Sequence, residues 1–213
     1  MKERKLYSVS IKCYILNIQV FFMTIEHIKD EIMHHPDQIE YTKKGWKPLF
    51  DVSVQSKILI IGQAPGIKTQ EKNIAWQDLS GNRLRQWLGV DEKTFYDNKI
   101  FGQLPMDFYF PGKAKTGDKP PRKDFAPMWH PKILALLKEV RLIILIGNYS
   151  QKYYLGENAK KNLTETVSSY QSYLPKYIPL PHPSPLNVRW FKQNPWFEKE
   201  VLPTLKELVH NII

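Results

Sequence analysis

Lys57-Ile58-Leu59-Ile60-Ile61-Gly62-Gln63-Ala64-Pro65-Gly66 is the stretch on which the fold turns. Its first half is short, apolar and β-branched, with none of the alternation shown by a strand that is wet on one face. A run of this kind, closed by glycine, is what a central parallel strand buried on both faces requires. The pattern recurs at Arg141-Leu142-Ile143-Ile144-Leu145-Ile146-Gly147. Ile100–Leu104 and Tyr177–Leu180 read as two further strands. Helical stretches lie between and around them. Ile25–His34 is ended by Pro36, and the segment from Ser80 to Gly89 has Ser80 as N-cap and Gly89 as its stop. Pro127–Val140 is helical, Tyr153 to Tyr170 mixes helix and loop, and Asn194-Pro195 opens a C-terminal helix bent or split at Pro203. Strands alternating with helices predict an α/β fold, a three-layer α/β/α arrangement around a central, mainly parallel four-stranded sheet. Ligands bind such sheets at the carboxyl ends of the strands. The loops beginning at Gly62, Met106 and Pro181 all follow strands, so they can converge on one cleft.

The chain has 213 residues, enough for one well-packed domain, expected here over residues 25–213. Residues 1–24 read as an N-terminal tail or an over-called start. Their apolar run is broken by Lys12, Asn17 and Gln19, has no small-residue cleavage site after it, and is too short and polar to span a membrane. Lys and Arg number 31 against 21 Asp and Glu, a net charge of +10, with 13% aromatic residues. Basic charge combined with aromatic rings suits stacking on nucleic-acid bases better than a membrane surface. A single cysteine, Cys13, excludes an internal disulfide, a cysteine-based zinc site and a cysteine-ligated iron–sulfur cluster, and it suits a reducing compartment. The expected location is cytoplasmic or nucleoid-associated.

Two loops carry the chemistry. Pro179, Pro181, Pro183 and Pro185 frame His182 in a stiff segment that ends at Leu186-Asn187. Proline fixes φ and lacks an N–H, so the loop holds its side chains in place with little entropy left to lose on binding. Gly62-Gln63-Ala64-Pro65-Gly66 is a glycine turn after a strand, where backbone amides can approach a ligand. It fits neither the dinucleotide-binding nor the Walker spacing. Alone, one loop could be a rigid connector and the other a tight turn.

Together, in this order, the two motifs resemble the uracil-DNA glycosylase superfamily. Gly62-Gln63-Ala64-Pro65-Gly66 looks most like the family 4 branch, and His182-Pro183-Ser184-Pro185-Leu186 is close to the family 1 form. Between them, Ala75-Trp76 and Ser80-Gly81-x-x-Leu84 are similar to a family 4 segment, and Gly147-Asn148-Tyr149-Ser150-Gln151-Lys152 is similar to a family 1 segment. The resemblance covers roughly residues 50–210. It implies excision of a base flipped out of DNA, because the reacting carbon is inaccessible inside the stack. It implies that His182 faces the leaving base. Ala64, Pro65 and Gly66 then cradle the base and 5′ phosphate, and Trp76 stacks on the base. Ser184, with Pro185 beside it, contacts phosphate, and Leu186 fills the vacated stack.

The sequence departs from that family at defined points. The water-positioning carboxylates are replaced by Gln63 and Ala64, so Gln63 is the candidate to orient water, with Asp78 or Asp107 as possible substitutes. The asparagine that reads the base edge is missing, and Gln103 and Asp107 are the nearest amide and carboxylate. The four cysteines of a family 4 cluster are absent, so no iron–sulfur cluster or metal is expected. Lys113, Lys115, Lys119, Arg122 and Lys123 form a basic loop opposed by Asp118, and Arg189 extends a basic face. The expected partner of this chain is DNA containing uracil or a damaged base, met by a monomer and away from membranes. Two other readings stay open: a silent DNA-binding member of the superfamily, and an α/β enzyme acting on a nucleotide or sugar phosphate.

Overall fold

The computed structural model describes residues 23–213, so the tail expected over residues 1–24 lies, up to residue 22, outside the described residues. The elements run α1 (Ile25–His34), α2 (Ile39–Lys43), β1 (Ile58–Ile61), α3 (Ile67–Lys72), α4 (Leu79–Leu88), α5 (Glu92–Phe95), β2 (Phe101–Gln103) and α6 (Phe125–Leu134). The second half continues with β3 (Leu142–Ile146), α7 (Asn148–Leu155), α8 (Leu163–Ser168), β4 (Tyr177–Leu180), α9 (Val188–Gln193) and α10 (Leu202–His210). The four strands form one parallel sheet in the order β2-β1-β3-β4.

Helices cover both faces of the sheet, giving three layers. Leu59, Ile61, Ile143 and Leu145 point to one side, with α1 and α6. Ile58, Ile60, Leu142, Ile144 and Ile146 point to the other, with α4 and α10. Alternate residues thus go to opposite faces, yet every residue of β1 and β3 is buried. This is why their sequences read as unbroken apolar runs, and each such Leu or Ile contributes about 1.5–3 kcal/mol. β4 pairs only with β3, and an edge strand of this kind is where Pro179 can be accommodated.

The chain leaves β1 toward β2 on one side and returns to β3 on the other. The carboxyl ends of β1 and β3 therefore flank the switch point where a crevice opens.

Three element expectations shift, each for a local reason. The N-cap of α4 is Asp78, whose side chain accepts from the Gly81 N–H at 2.9 Å, and Ser80 lies buried inside the helix. The helix expected over Pro127–Val140 is α6, which ends at Leu134. Pro131 lacks an N–H, and the chain beyond tightens into Leu136 N–H to Ile133 O and Leu137 N–H to Leu134 O bonds. After Asn194-Pro195 a π turn, Phe197–Val201, precedes α10. Pro203 has no N–H to return to Lys199, so the irregular turn sits where the helix was expected to bend or split. Among the described residues no helix is long and apolar enough to cross a membrane.

Candidate active site

The first wall of the site is the turn after β1. The carbonyl oxygens of Gly62 and Gln63 accept the N–H groups of Met106 (3.0 Å) and Asp107 (3.1 Å), which pins the turn to the segment after β2. The Gln70 side chain of α3 is buried; it donates to Lys47 O (3.0 Å) and accepts from Phe110 N–H (2.9 Å). A buried amide satisfied at both ends fixes the helix that leaves the turn.

Trp76 is set just as firmly. Its φ of 61° lies in the left-handed region, unusual for a bulky residue and a mark of imposed geometry. Its carbonyl accepts from Arg85 Nη1 (3.2 Å), and the preceding carbonyl, of Ala75, accepts from the Tyr96 hydroxyl (2.9 Å). A Cβ on Gly81 would lie 1.7 Å from Trp76 O, so the tryptophan backbone occupies space that only glycine leaves free. A Cβ on Gly62 would meet the indole ring at 3.3 Å.

The second wall follows β4. Gln151, buried on α7, donates through Nε2 to Leu180 O (2.9 Å) and Leu145 O (3.3 Å), joining the carboxyl ends of β3 and β4. Gly147, with φ 83°, adds its N–H to Leu180 O. Beyond this anchor His182 is largely enclosed. Its carbonyl accepts from Asn187 Nδ2 (2.8 Å), and Arg83 Nη1 of α4 donates to Ser184 O (3.1 Å). The Ser184 N–H donates to His182 Nδ1 (3.1 Å). Nδ1 must then carry the lone pair, so the neutral ring bears its proton on Nε2. Burial pulls the imidazole pKa below its ordinary value, while the Asp78 carboxylate works in the opposite direction.

A cavity of about 860 Å³ opens between the walls. It brings together Gln63, Ala64, Pro65, Gly66, Trp76, Gln103, His182 and Ser184. The Trp76 and His182 rings lie 5.8 Å apart, tilted by 31°. Gln103, at the end of β2, is buried, and its side-chain amide has no partner among the described residues. A smaller cavity of about 310 Å³ shares Gln63 and His182 and extends to Gly147, Asn148, Asn187 and Trp190. Asp78 also lines the larger cavity.

Other expected site residues lie elsewhere. Leu186, 92% exposed, projects from the proline loop, with Pro185 beside it and Arg189 exposed on α9. Asp107 does not line the cavity. It is wholly buried, and its two oxygens accept from Arg122 Nη2 and Nε (both 2.7 Å) and from the N–H groups of Tyr109 and Arg122. A carboxylate so fully engaged has no lone pair left to read a base or hold water. Arg122 correspondingly leaves the basic arm: it turns inward, bonds Gln38, and lies over the rings of Tyr41 and Phe125. Lys113 and Lys115 stay exposed, and Lys113 pairs with Asp118 at 2.5 Å. The clamping roles of Arg83 and Gln151 went unread in the sequence, although both residues fall within the quoted motifs. Among the described residues no group of three His, Cys, Asp or Glu side chains is placed to hold a metal.

The family model described as the uracil DNA glycosylase superfamily matches residues 50–206. Among solved structures, the chain is similar to a solution NMR structure of a candidate uracil DNA glycosylase from Methanosarcina acetivorans. The identity is 17%, over 74% of this chain and 93% of that one, with a TM-score of 0.46.

Proposed function

The chain belongs to the uracil DNA glycosylase superfamily, and we propose that it hydrolyses the N-glycosidic bond of uracil, or of a related damaged base, in DNA. The observation that carries this reading is the state of His182: neutral, with Nδ1 occupied by the Ser184 N–H. Its Nε2 has no partner among the described residues, in a ring that lines the cavity.

The chemistry follows from that donor. As the bond from C1′ to the base breaks, its electron pair leaves with the base and negative charge grows on the carbonyl oxygen beside the breaking bond. A preorganised N–H at that oxygen stabilises the transition state more than the ground state, and in comparable sites one such donor is worth about 3–4 kcal/mol. The sugar becomes an oxocarbenium-like cation that water attacks at C1′. The water proton is released to solvent or to the departing base anion. Gln63 orients the water through its amide. So strong an electrophile needs little base assistance, which is why an amide suffices where relatives carry a carboxylate. Asp78 adds negative charge on the cavity wall.

Trp76 stacks on the base. Gln103 offers an N–H and a carbonyl side by side, the complement of a lactam edge. Ala64, Pro65 and Gly66 form the floor. Leu186 enters the vacated stack, while Ser184, Arg189, Lys113 and Lys115 meet phosphates, in keeping with the charge of +10. The reaction as drawn uses no cofactor, and one copy of the chain carries every group it needs. The proposed setting is the cytoplasm or nucleoid.

Cleavage of a uracil-containing oligonucleotide, revealed as strand scission after alkali, tests the proposal. Scission with release of free uracil is expected. The Gln63-Ala64 pair favours one rival, a member of the superfamily that binds without cutting. Tight binding that leaves both single- and double-stranded uracil DNA intact would establish that rival.

A further inference from the structure

Leu79, the first residue of α4, is 68% exposed. A lone exposed leucine needs no explanation, but this one has an unusual mounting. Its neighbours Asp78 and Ser80 both line the large cavity, so Leu79 stands at the cavity rim. The helix start beneath it is held by the Asp78 cap and by the close approach of Gly81 to the Trp76 carbonyl. Leu79 and Arg83 are four apart and share a helix face. Arg83 grips the carbonyl of Ser184, two residues before the exposed Leu186. Two apolar tips therefore rise from the mouth on rigid supports that are bonded to each other. Ile74, which lines the cavity, and Val188, just past the proline loop, add further exposed apolar surface.

We propose that Leu79 is a second wedge, which packs into the base stack of duplex DNA beside the flipped nucleotide while Leu186 fills the gap. The occupant is identified by chemistry: base faces exposed by unstacking are apolar, and Arg189, exposed on α9 just past the proline loop, offers positive charge to a flanking phosphate. The inference rests on the glycosylase reading. It adds a dependence on strandedness, because a wedge contributes only where a stack is broken.

The test compares Leu79→Ala, Leu186→Ala and the double variant with the parent chain. Turnover is measured on single- and double-stranded uracil DNA, along with the fluorescence of a 2-aminopurine placed next to the uracil. For Leu79→Ala the ratio of duplex to single-strand turnover should fall about tenfold, the scale of losing the apolar burial of one leucine tip, and the fluorescence rise on binding should shrink. An unchanged ratio while Leu186→Ala is impaired would overturn the role of Leu79 and leave the glycosylase reading intact. Equal losses on both substrates would also overturn it, since that marks a damaged active site rather than a lost wedge. A parent chain that neither cuts nor binds uracil DNA would remove both.

Discussion

His130 and His182 are both neutral histidines held by burial, and they differ in one nitrogen. His130, on α6, is wholly buried and stacks on Phe108 at 5.7 Å. Its Nδ1 faces the Tyr154 hydroxyl (2.6 Å) and its Nε2 the Pro105 carbonyl (3.0 Å). The carbonyl can only accept, so Nε2 carries the proton and the hydroxyl donates to Nδ1. Both valences are spent inside the protein. Burial pushes the His130 pKa down to about 4. His182 is also shifted downward by burial, but only Nδ1 is engaged, and the ring borders a cavity. Desolvation keeps each ring neutral; the number of nitrogens left over decides whether the ring can act on a ligand. His130 still serves the site indirectly, because Pro105, whose carbonyl it holds, is part of the cavity wall.

The comparison can be broken most decisively at His182. His182→Ala should lower turnover roughly 10²–10³-fold with DNA affinity nearly retained, as read by single-turnover cleavage and fluorescence anisotropy. Full turnover in that variant would put the ring on the same structural footing as His130. A somewhat smaller effect belongs to His130 and shows in stability rather than rate. Its folded pKa, about 4, lies below the ordinary value near 6.5, so the unfolded chain binds the proton more readily. The stabilisation is complete above pH 6.5 and falls away as pH drops toward 4, by about 3 kcal/mol. Urea unfolding midpoints at several pH values should show this slope, and His130→Phe should flatten it. An equally steep slope in the variant would mean that His130 is not the titrating group.

Smaller effects sharpen the picture across the cavity. Trp76→Ala should weaken binding of free uracil by about 1–3 kcal/mol, measured by calorimetry. A lowered melting temperature with unchanged uracil binding would return Trp76 to the core. Gln103→Glu removes the amide donor but keeps an acceptor, and should weaken uracil binding by about 1–2 kcal/mol. No change there would take Gln103 away from the base edge.

Much of this arrangement was legible in the chain itself. β1 and β3 are buried on both faces, so apolarity without alternation identified them, and the prolines around His182 declared a stiff loop by excluding an α-helix or a central strand. What stayed hidden was contact over distance. Arg122 sits among lysines and prolines and reads as part of a solvated basic arm. Its partners Asp107, Gln38 and Tyr41 come from two other segments, and no local pattern announces such a cage. Asp107 and Asp78 look alike as polar residues near motifs, yet folding buries the first against Arg122 and leaves the second on the cavity wall. The cap of α4 was misplaced by two residues for a simpler reason: aspartate and serine are both good caps, and only the folded backbone chooses between them.

Gly81 has a consequence that reaches beyond its own helix. Since a methyl group there would collide with the Trp76 carbonyl, the position of the indole on the cavity wall is set by an absent side chain on the neighbouring helix. Reshaping the cavity would thus begin at position 81 rather than at the ring itself. Gly81→Ala would push the Trp76 backbone off the helix and re-dimension the cavity, at a cost in stability because the atoms it meets are backbone held by Arg85 and Tyr96.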